Sequence, residues 1–308
     1  MKKLSEGYKM FLSVMGIFLI YVTIFIIFED YDRHVIQPLT EESDWHLLLF
    51  SLVIMALLGL ILLRYAKRMD RRIHREQALR QNAMRRQLTQ NIAHELKTPV
   101  ASILGYTETL LDNPSIPEDT RQQFIRRSHE QAQRLTALLR DISTLNRMDF
   151  APEMTAMDEV DVSALVAEIA QEVAAPLQRK EMVFHNSLPD GIRLMGNAQL
   201  LYNVFRNLLD NAILYAGVGT EVTLTAQEQA DAWLFTFSDN GVGVPPEHLP
   251  RLFERFYRVD KGRSRELGGT GLGLAIVKNA VQLHGGTITA SLSDGLTFRF
   301  TLKKDTQR

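Results

Sequence analysis

The sequence predicts three architectures in series. Two membrane-spanning helices come first, then an all-α helical hairpin that forms a dimeric four-helix bundle, then a C-terminal α/β sandwich. Three observations predict them. Two charge-free apolar runs, Met10–Phe28 and Leu47–Leu63, fill most of the first 63 positions. Apolar residues at three- and four-residue steps mark two successive helices between Leu88 and Phe150. Beyond Phe150, helical patterns precede and interrupt strands that are largely consecutive, as in a sheet covered by helices on one face.

Composition removes several function classes. Lys+Arg 35 against Asp+Glu 36 leaves a net charge of −1, so no global basic field points to a nucleic-acid partner. A 45% hydrophobic chain of 308 residues can bury a substantial core and is not disordered. Zero cysteines exclude a disulfide scaffold, a thiolate nucleophile, cysteine-type zinc sites and iron–sulfur clusters.

The first span, residues 10–28, covers about 28 Å as a helix at ~1.5 Å per residue, enough for a bilayer core. No small-residue cleavage site follows it, which disfavours a signal peptide. Residues 47–63 form the second span. Lys2, Lys3 and Lys9 in segment 1–9, and Arg64, Lys67, Arg68, Arg71, Arg72 and Arg75 after the second span, set both termini in the cytoplasm. The loop 29–46 is acidic, with Arg33 its one basic residue among Lys and Arg. It is too short for a folded ligand-binding domain. The expected input is therefore a partner membrane protein or a property of the lipid bilayer.

Residues 64–87 read as a basic juxtamembrane helix, a positive-inside stop rather than a dedicated anionic-lipid site. In 88–150, Leu88, Ile92, Leu96, Val100, Ile103, Thr107 and Leu110 share one helix face. Asn113, Pro114 and Pro117 mark a break, and a second stripe runs from Phe124 to Leu145. These faces are too broad for one hairpin to hide, hence the dimer. His94 sits off the stripe and faces solvent beside Glu95, with Thr98 one turn along. Pro99 cannot donate to the Glu95 carbonyl, so a kink is expected there. A zinc motif fails because position 98 is threonine, not a second histidine.

Residues 151–308 form the sandwich, with helices near Val162–Leu177 and Gln199–Tyr215. The strands fall near Met182–Asn186, Glu221–Ala226, Trp233–Ser238, Gly286–Leu292 and Thr297–Leu302. Three segments carry chemistry. Asn207 and Asn211 stack one turn apart on an apolar helix, and their amide carbonyls suit a hard cation such as Mg²⁺. Asp239 ends an apolar strand and can accept a proton from an exocyclic amine, while Gly241 and Gly243 let backbone approach a ligand. Gly269-Thr270-Gly271-Leu272-Gly273 opens a helix, a ready phosphate site. The P-loop and dinucleotide fingerprints are both absent. Val244–Leu267, polar and basic, reads as a lid anchored by Phe253 and Phe256.

In this order the segments resemble the membrane-bound sensor histidine kinases of bacterial two-component systems. His94–Pro99 is similar to that family's H box, Asn207–Tyr215 to its N box, and Asp239–Gly243 to its first glycine box. Phe253–Arg258 is similar to the F box and Gly269–Gly273 to the second glycine box. The resemblance, over residues 88–302, implies a GHKL-type ATP-binding fold and a cytoplasmic-membrane location. It implies that His94 takes the γ-phosphoryl of ATP, that Glu95 handles the other ring proton, and that Arg258 steadies charge on the departing phosphoryl. Asn211 would be the Mg²⁺ ligand supported by Asn207, Tyr215 would stack near the base, Asp239 would read the adenine amine, and the Gly269–Gly273 backbone would hold phosphates. The phosphoryl would pass to an aspartate of a response regulator receiver domain, and Thr98 would position water for the reverse dephosphorylation.

Position 214 is leucine where the family usually carries a basic residue; Lys261, Arg263 or Arg265 of the lid can substitute. That departure motivates the alternative of a membrane-anchored pseudokinase or scaffold. A chaperone- or topoisomerase-type ATPase explains neither His94 nor the spans. Only 30 residues separate Leu63 from His94, so the second span is expected to lead directly into the output helix.

Overall fold

The computed structural model describes residues 15, 16, 19, 22, 23, 26, 27, 44–150, 156–260 and 269–305, and element labels begin at Asp44. Segments 1–9 and 29–43, twelve of the nineteen residues of the 10–28 run, and lid residues Lys261, Arg263 and Arg265 lie outside the described residues. The chain divides into two compact units, residues 1–87 and 88–308.

Helix α1, Asp44–Asp112, contains the whole Leu47–Leu63 run. Val53, Leu60, Ile61 and Leu63 on it are exposed. Among the described residues no helix is long and apolar enough to cross a membrane, so the two spans rest on the sequence. Pro99 does not end α1; helix continues on both sides of it, and the chain turns only at 113–117. There Ile116 N–H donates to the Asn113 carbonyl at 3.2 Å. Helix α2, Glu118–Phe150, returns beside α1, with Tyr106 and Phe124 ring centroids 5.3 Å apart. Val100, Leu104, Leu111, Ile125 and Leu139 stay exposed on the hairpin. Leu138, Leu145 and Met148, near the end of α2, are buried and join the core of the α/β lobe.

The lobe holds α3 (Val162–Arg179), α4 (Ala198–Tyr215) and α5 (Gly273–Leu283). Its strands are β1 (Asp158–Asp161), β2 (Val183–Ser187), β3 (Arg193–Gly196), β4 (Glu221–Glu228), β5 (Ala232–Asp239), β6 (Ile288–Leu292) and β7 (Leu296–Lys303). A five-stranded sheet runs β2-β4-β5-β7-β6, and β1 pairs with β3 in a separate ribbon. Strand β2 lies parallel to β4; the other pairs in that sheet are antiparallel. The ribbon is absent from the sequence expectation because Asp158-Glu-Val-Asp161 and Arg193-Leu-Met-Gly196 are too short and polar to show a strand pattern.

Helices α3 and α4 start where a side chain accepts from an otherwise unpaired N–H. Asp161 takes that of Ala164 at 2.9 Å, and Asn197 that of Leu200 at 3.0 Å. The apolar stripe of α4 includes Leu201, Val204, Phe205, Leu208 and Leu209. Phe205 meets Phe235 at 5.5 Å, and Phe235 stacks on its cross-strand neighbour Phe300 at 5.2 Å. Because strand side chains alternate, Phe235, Phe237 and Asp239 point to the same face. An acid at the end of an aromatic row is thereby carried under the helical layer.

His284, next after α5, is fully buried. Its Nδ1 lies 2.7 Å from the Ala280 carbonyl, which can only accept, so Nδ1 carries the proton. Nε2 then accepts from the Asn197 N–H at 3.0 Å, tying the end of α5 to the start of α4. Burial lowers the His284 pKa against the weaker opposing effect of the Ala280 bond. An unfolded chain therefore binds this proton at a higher pH than the folded one. The stability contribution is complete above about pH 6.5 and declines as pH falls below it. Burial raises the pKa of Asp141, Asp210 and Asp239, and their contributions run the other way on acidification. The His284 effect is thus read by difference. The gap in melting temperature between wild type and His284→Gln should be wider at pH 7.5 than at pH 5.5.

Candidate functional site

A cleft of about 260 Å³ opens between α4, the end of β5, the turn after β5 and the loop before α5. Asp239 lies in its wall and is only 7% exposed. Its Oδ1 accepts from the Gly241 N–H at 3.0 Å and the Leu296 N–H at 3.3 Å. Desolvation pushes its pKa up, and these two N–H groups pull it back. A carboxylate held in this way presents fixed acceptor capacity inside an apolar cleft.

Asn211, Asp210, Leu214 and Tyr215 line the cleft from α4. Asn207 Nδ2 donates to the Asn203 carbonyl at 2.7 Å, and its Oδ1 is turned toward Gly273. A Cβ at Gly273 would stand 2.7 Å from that oxygen, so Asn207 braces the glycine loop as well as lining the site. Asp210, which sequence reasoning passed over, pairs with Arg206 Nε at 3.0 Å, and Arg206 also reaches Glu172 at 2.6 Å. Burial raises the Asp210 pKa while Arg206 lowers it.

Gly243, Gly269, Thr270, Gly271 and Gly273 all line the cleft. Two residues expected there sit behind it. Gly241 packs on the backbone of Ala216, where any Cβ would fall 2.3 Å from the carbonyl oxygen. Leu272 is fully buried in the core, and its N–H donates to Thr270 Oγ1 at 3.2 Å. Both support the wall rather than form it. Their neighbours in sequence, with the same motif, are the ones that face the ligand space.

Phe256 adopts a left-handed backbone at φ 62°, with its N–H on the Gly271 carbonyl at 2.8 Å. Two residues on, Arg258 enters the cleft wall. Its side chain is 5% exposed and donates to Glu95 Oε2 at 2.9 Å; Glu95 is itself 15% exposed. The preceding residue, His94, is exposed. Thr98 Oγ1 donates to the His94 carbonyl at 3.4 Å. The hairpin and the cleft are therefore joined at the very residue beside the histidine.

Other hairpin carboxylates make similar contacts. Asp149 accepts from Arg255 at 2.8 Å through both oxygens, and from Asn279 Nδ2 at 3.5 Å. Asp141 accepts from Thr270 Oγ1 at 2.8 Å. Neither acid is a sequence-predicted site residue. The available signal is that both interrupt the α2 face that also carries Leu138, Leu145 and Met148. Among the described residues no group of three or more His, Cys, Asp or Glu could hold a metal ion. Side-chain oxygens of Asn207, Asp210, Asn211, Asp239 and Asp260 line the cleft and are of the kind a hard cation prefers.

The chain thus pairs a hairpin bearing a water-exposed histidine with an α/β lobe bearing a glycine-walled cleft. Residues 196–306 match the histidine kinase-, DNA gyrase B- and HSP90-like ATPase family, and residues 84–150 match the His Kinase A (phospho-acceptor) domain. The chain is 35% identical over 223 residues to the sensor-like histidine kinase SenX3 of Mycolicibacterium smegmatis, covering 72% of this chain and 58% of that one. In fold it is similar to the histidine kinase AdeS of Acinetobacter baumannii. The TM-score is 0.56 at 23% identity, over 68% of this chain and 98% of that chain. A histidine kinase ThkA solved in complex with the response regulator TrrA gives a TM-score of 0.56 at 19% identity, over 71% of this chain and 62% of that one. The chain belongs to the sensor histidine kinases of two-component systems. It spans less than two thirds of the length of the SenX3 relative.

Proposed function

We propose that this chain is an ATP-dependent protein-histidine kinase that phosphorylates His94 and passes the group to a response regulator aspartate. One observation carries the reading: Glu95, next to the exposed His94, bonds an arginine from the wall of the cleft. The lobe can therefore come within side-chain reach of the histidine. In the reaction a His94 ring nitrogen forms a bond to the γ-phosphorus, the bond to the β-phosphate oxygen breaks, and ADP leaves. Glu95 takes or orients the proton on the other ring nitrogen. Arg258 faces the negative charge that shifts onto the departing and transferring oxygens.

Asp239 accepts from the adenine amine, Tyr215 flanks the base, and N–H groups of the Gly269–Gly273 loop meet phosphates. Mg²⁺, when bound, neutralises phosphate charge and holds the polyphosphate in one geometry. Asn211 would supply a protein oxygen for it, with Asn207 in support. Thr98 carries a hydroxyl one turn from His94, where it can orient water for dephosphorylating the regulator. That reading makes the enzyme bifunctional.

The exposed Val100, Leu104, Leu111 and Ile125 support a homodimer through the hairpin. The Met10–Phe28 and Leu47–Leu63 runs, with their flanking charges, support a two-pass protein of a bacterial cytoplasmic membrane with both termini inside. The short intervening loop favours a membrane partner or the bilayer as stimulus. Inside-out membrane vesicles given γ-labelled ATP should acquire acid-labile label that His94→Gln abolishes. Right-side-out vesicles should remain unlabelled. Equal labelling of both preparations overturns the topology, and label that survives His94→Gln overturns the phosphoacceptor.

A further inference from the structure

We propose that Asp141 gates the nucleotide cleft: this hairpin carboxylate holds the hydroxyl that the glycine-rich loop would offer to a phosphate. The inference rests on the reading of the cleft as an ATP site. Thr270 lines the cleft between Gly269 and Gly271. A hydroxyl has one proton to give. Here it is given to Asp141 Oδ2 at 2.8 Å, while Thr270 Oγ1 itself accepts from the Leu272 N–H at 3.2 Å. Donation from Thr270 to a phosphate oxygen is thus excluded while Asp141 stays in place.

Charge acts in the same direction. Asp141 belongs to the hairpin, not to the lobe; burial raises its pKa, the Thr270 bond and Arg140 lower it, and the carboxyl of cleft residue Asp210 adds a smaller upward push. A polyphosphate entering beside them meets like charge, incompletely screened because Asp141 is half-buried. The flanking contacts repeat the pattern, for Arg258 is taken by Glu95 and Arg255 by Asp149. Carboxylates of the hairpin occupy groups of the lobe that suit phosphate. Docking in this arrangement and nucleotide binding are therefore antagonistic, and by linkage each weakens the other by the same factor. Signal-driven movement of the hairpin would change ATP affinity through this contact.

The test compares ATP with adenosine on the full chain in detergent, wild type against Asp141→Asn. Asparagine keeps an acceptor for Thr270 and removes the charge. Asp141→Ser, which removes the long acceptor too, guards against a folding artefact in either variant, and thermal melts verify both. The expected result is ATP binding tightened roughly threefold to tenfold in both variants, with adenosine affinity unchanged. Unchanged or weaker ATP binding in the variants overturns the gate, as does an equal shift for adenosine. A wild-type chain that binds neither ligand overturns the ATP-site reading itself, a separately visible failure.

Discussion

Glu95→Gln should lower the rate of His94 phosphorylation by about 10²-fold or more, with the ATP KM nearly unmoved. Glutamine preserves the length of the side chain and an oxygen for Arg258, which now donates to Glu95 at 2.9 Å. What it removes is the negative charge beside the imidazole. Without that charge the positive charge developing on the attacking ring loses the stabilisation proposed for it, and its second proton loses the proposed acceptor. Glu95 itself lies outside the cleft wall and the glutamine oxygen keeps a partner for Arg258, so ATP binding should shift far less than the rate. Single-turnover labelling with γ-labelled ATP over a range of concentrations separates the two parameters. A variant that labels at the wild-type rate excludes Glu95 as the proton-handling group. A rise in KM alone makes it a docking residue.

Asp239→Asn should weaken ATP binding by about two orders of magnitude without unfolding the lobe. The amide oxygen can still accept from Gly241 and Leu296, as Asp239 Oδ1 does at 3.0 and 3.3 Å. Its nitrogen, however, puts a donor where the carboxylate offers an acceptor, and a donor facing the adenine amine is repelled. The substitution also relieves a desolvated carboxyl, so the melting temperature should hold or rise slightly. Titration with ATP and a thermal melt decide the matter. Retained affinity shows that the base is recognised elsewhere; lost affinity with a collapsed melt assigns Asp239 to folding instead.

Much of this arrangement was legible in the chain because its signals are local. The alternation of Phe235, Phe237 and Asp239 announces a strand whose last inward position is acidic. The spacing of Asn207 and Asn211 on an apolar helix announces two polar groups facing one ligand. A glycine's exact duty was less legible. Gly241 and Gly243 are two residues apart in one turn, yet the first serves Ala216 and the second the cleft, a division set by what packs behind them. Least legible were contacts between distant segments. Thr270 and Asp141 are 129 positions apart, and no periodicity in α2 says which carboxyl meets the other lobe. Pro99 stands inside α1 with helix on both sides, in keeping with the expectation of a helix-interior proline rather than a helix end.

The backbone of Phe256 has a mechanical consequence. A bulky side chain at φ 62° is held about 1–3 kcal/mol above its relaxed conformations, and the Gly271 carbonyl is what retains it. The turn is thus a cocked trigger. Any shift of the glycine loop that withdraws this carbonyl frees Phe256 to snap into an ordinary conformation. Arg258, two residues farther along, must swing with it, so a small displacement at the cleft wall is amplified into a larger excursion of the guanidinium that bonds Glu95, the residue next to His94.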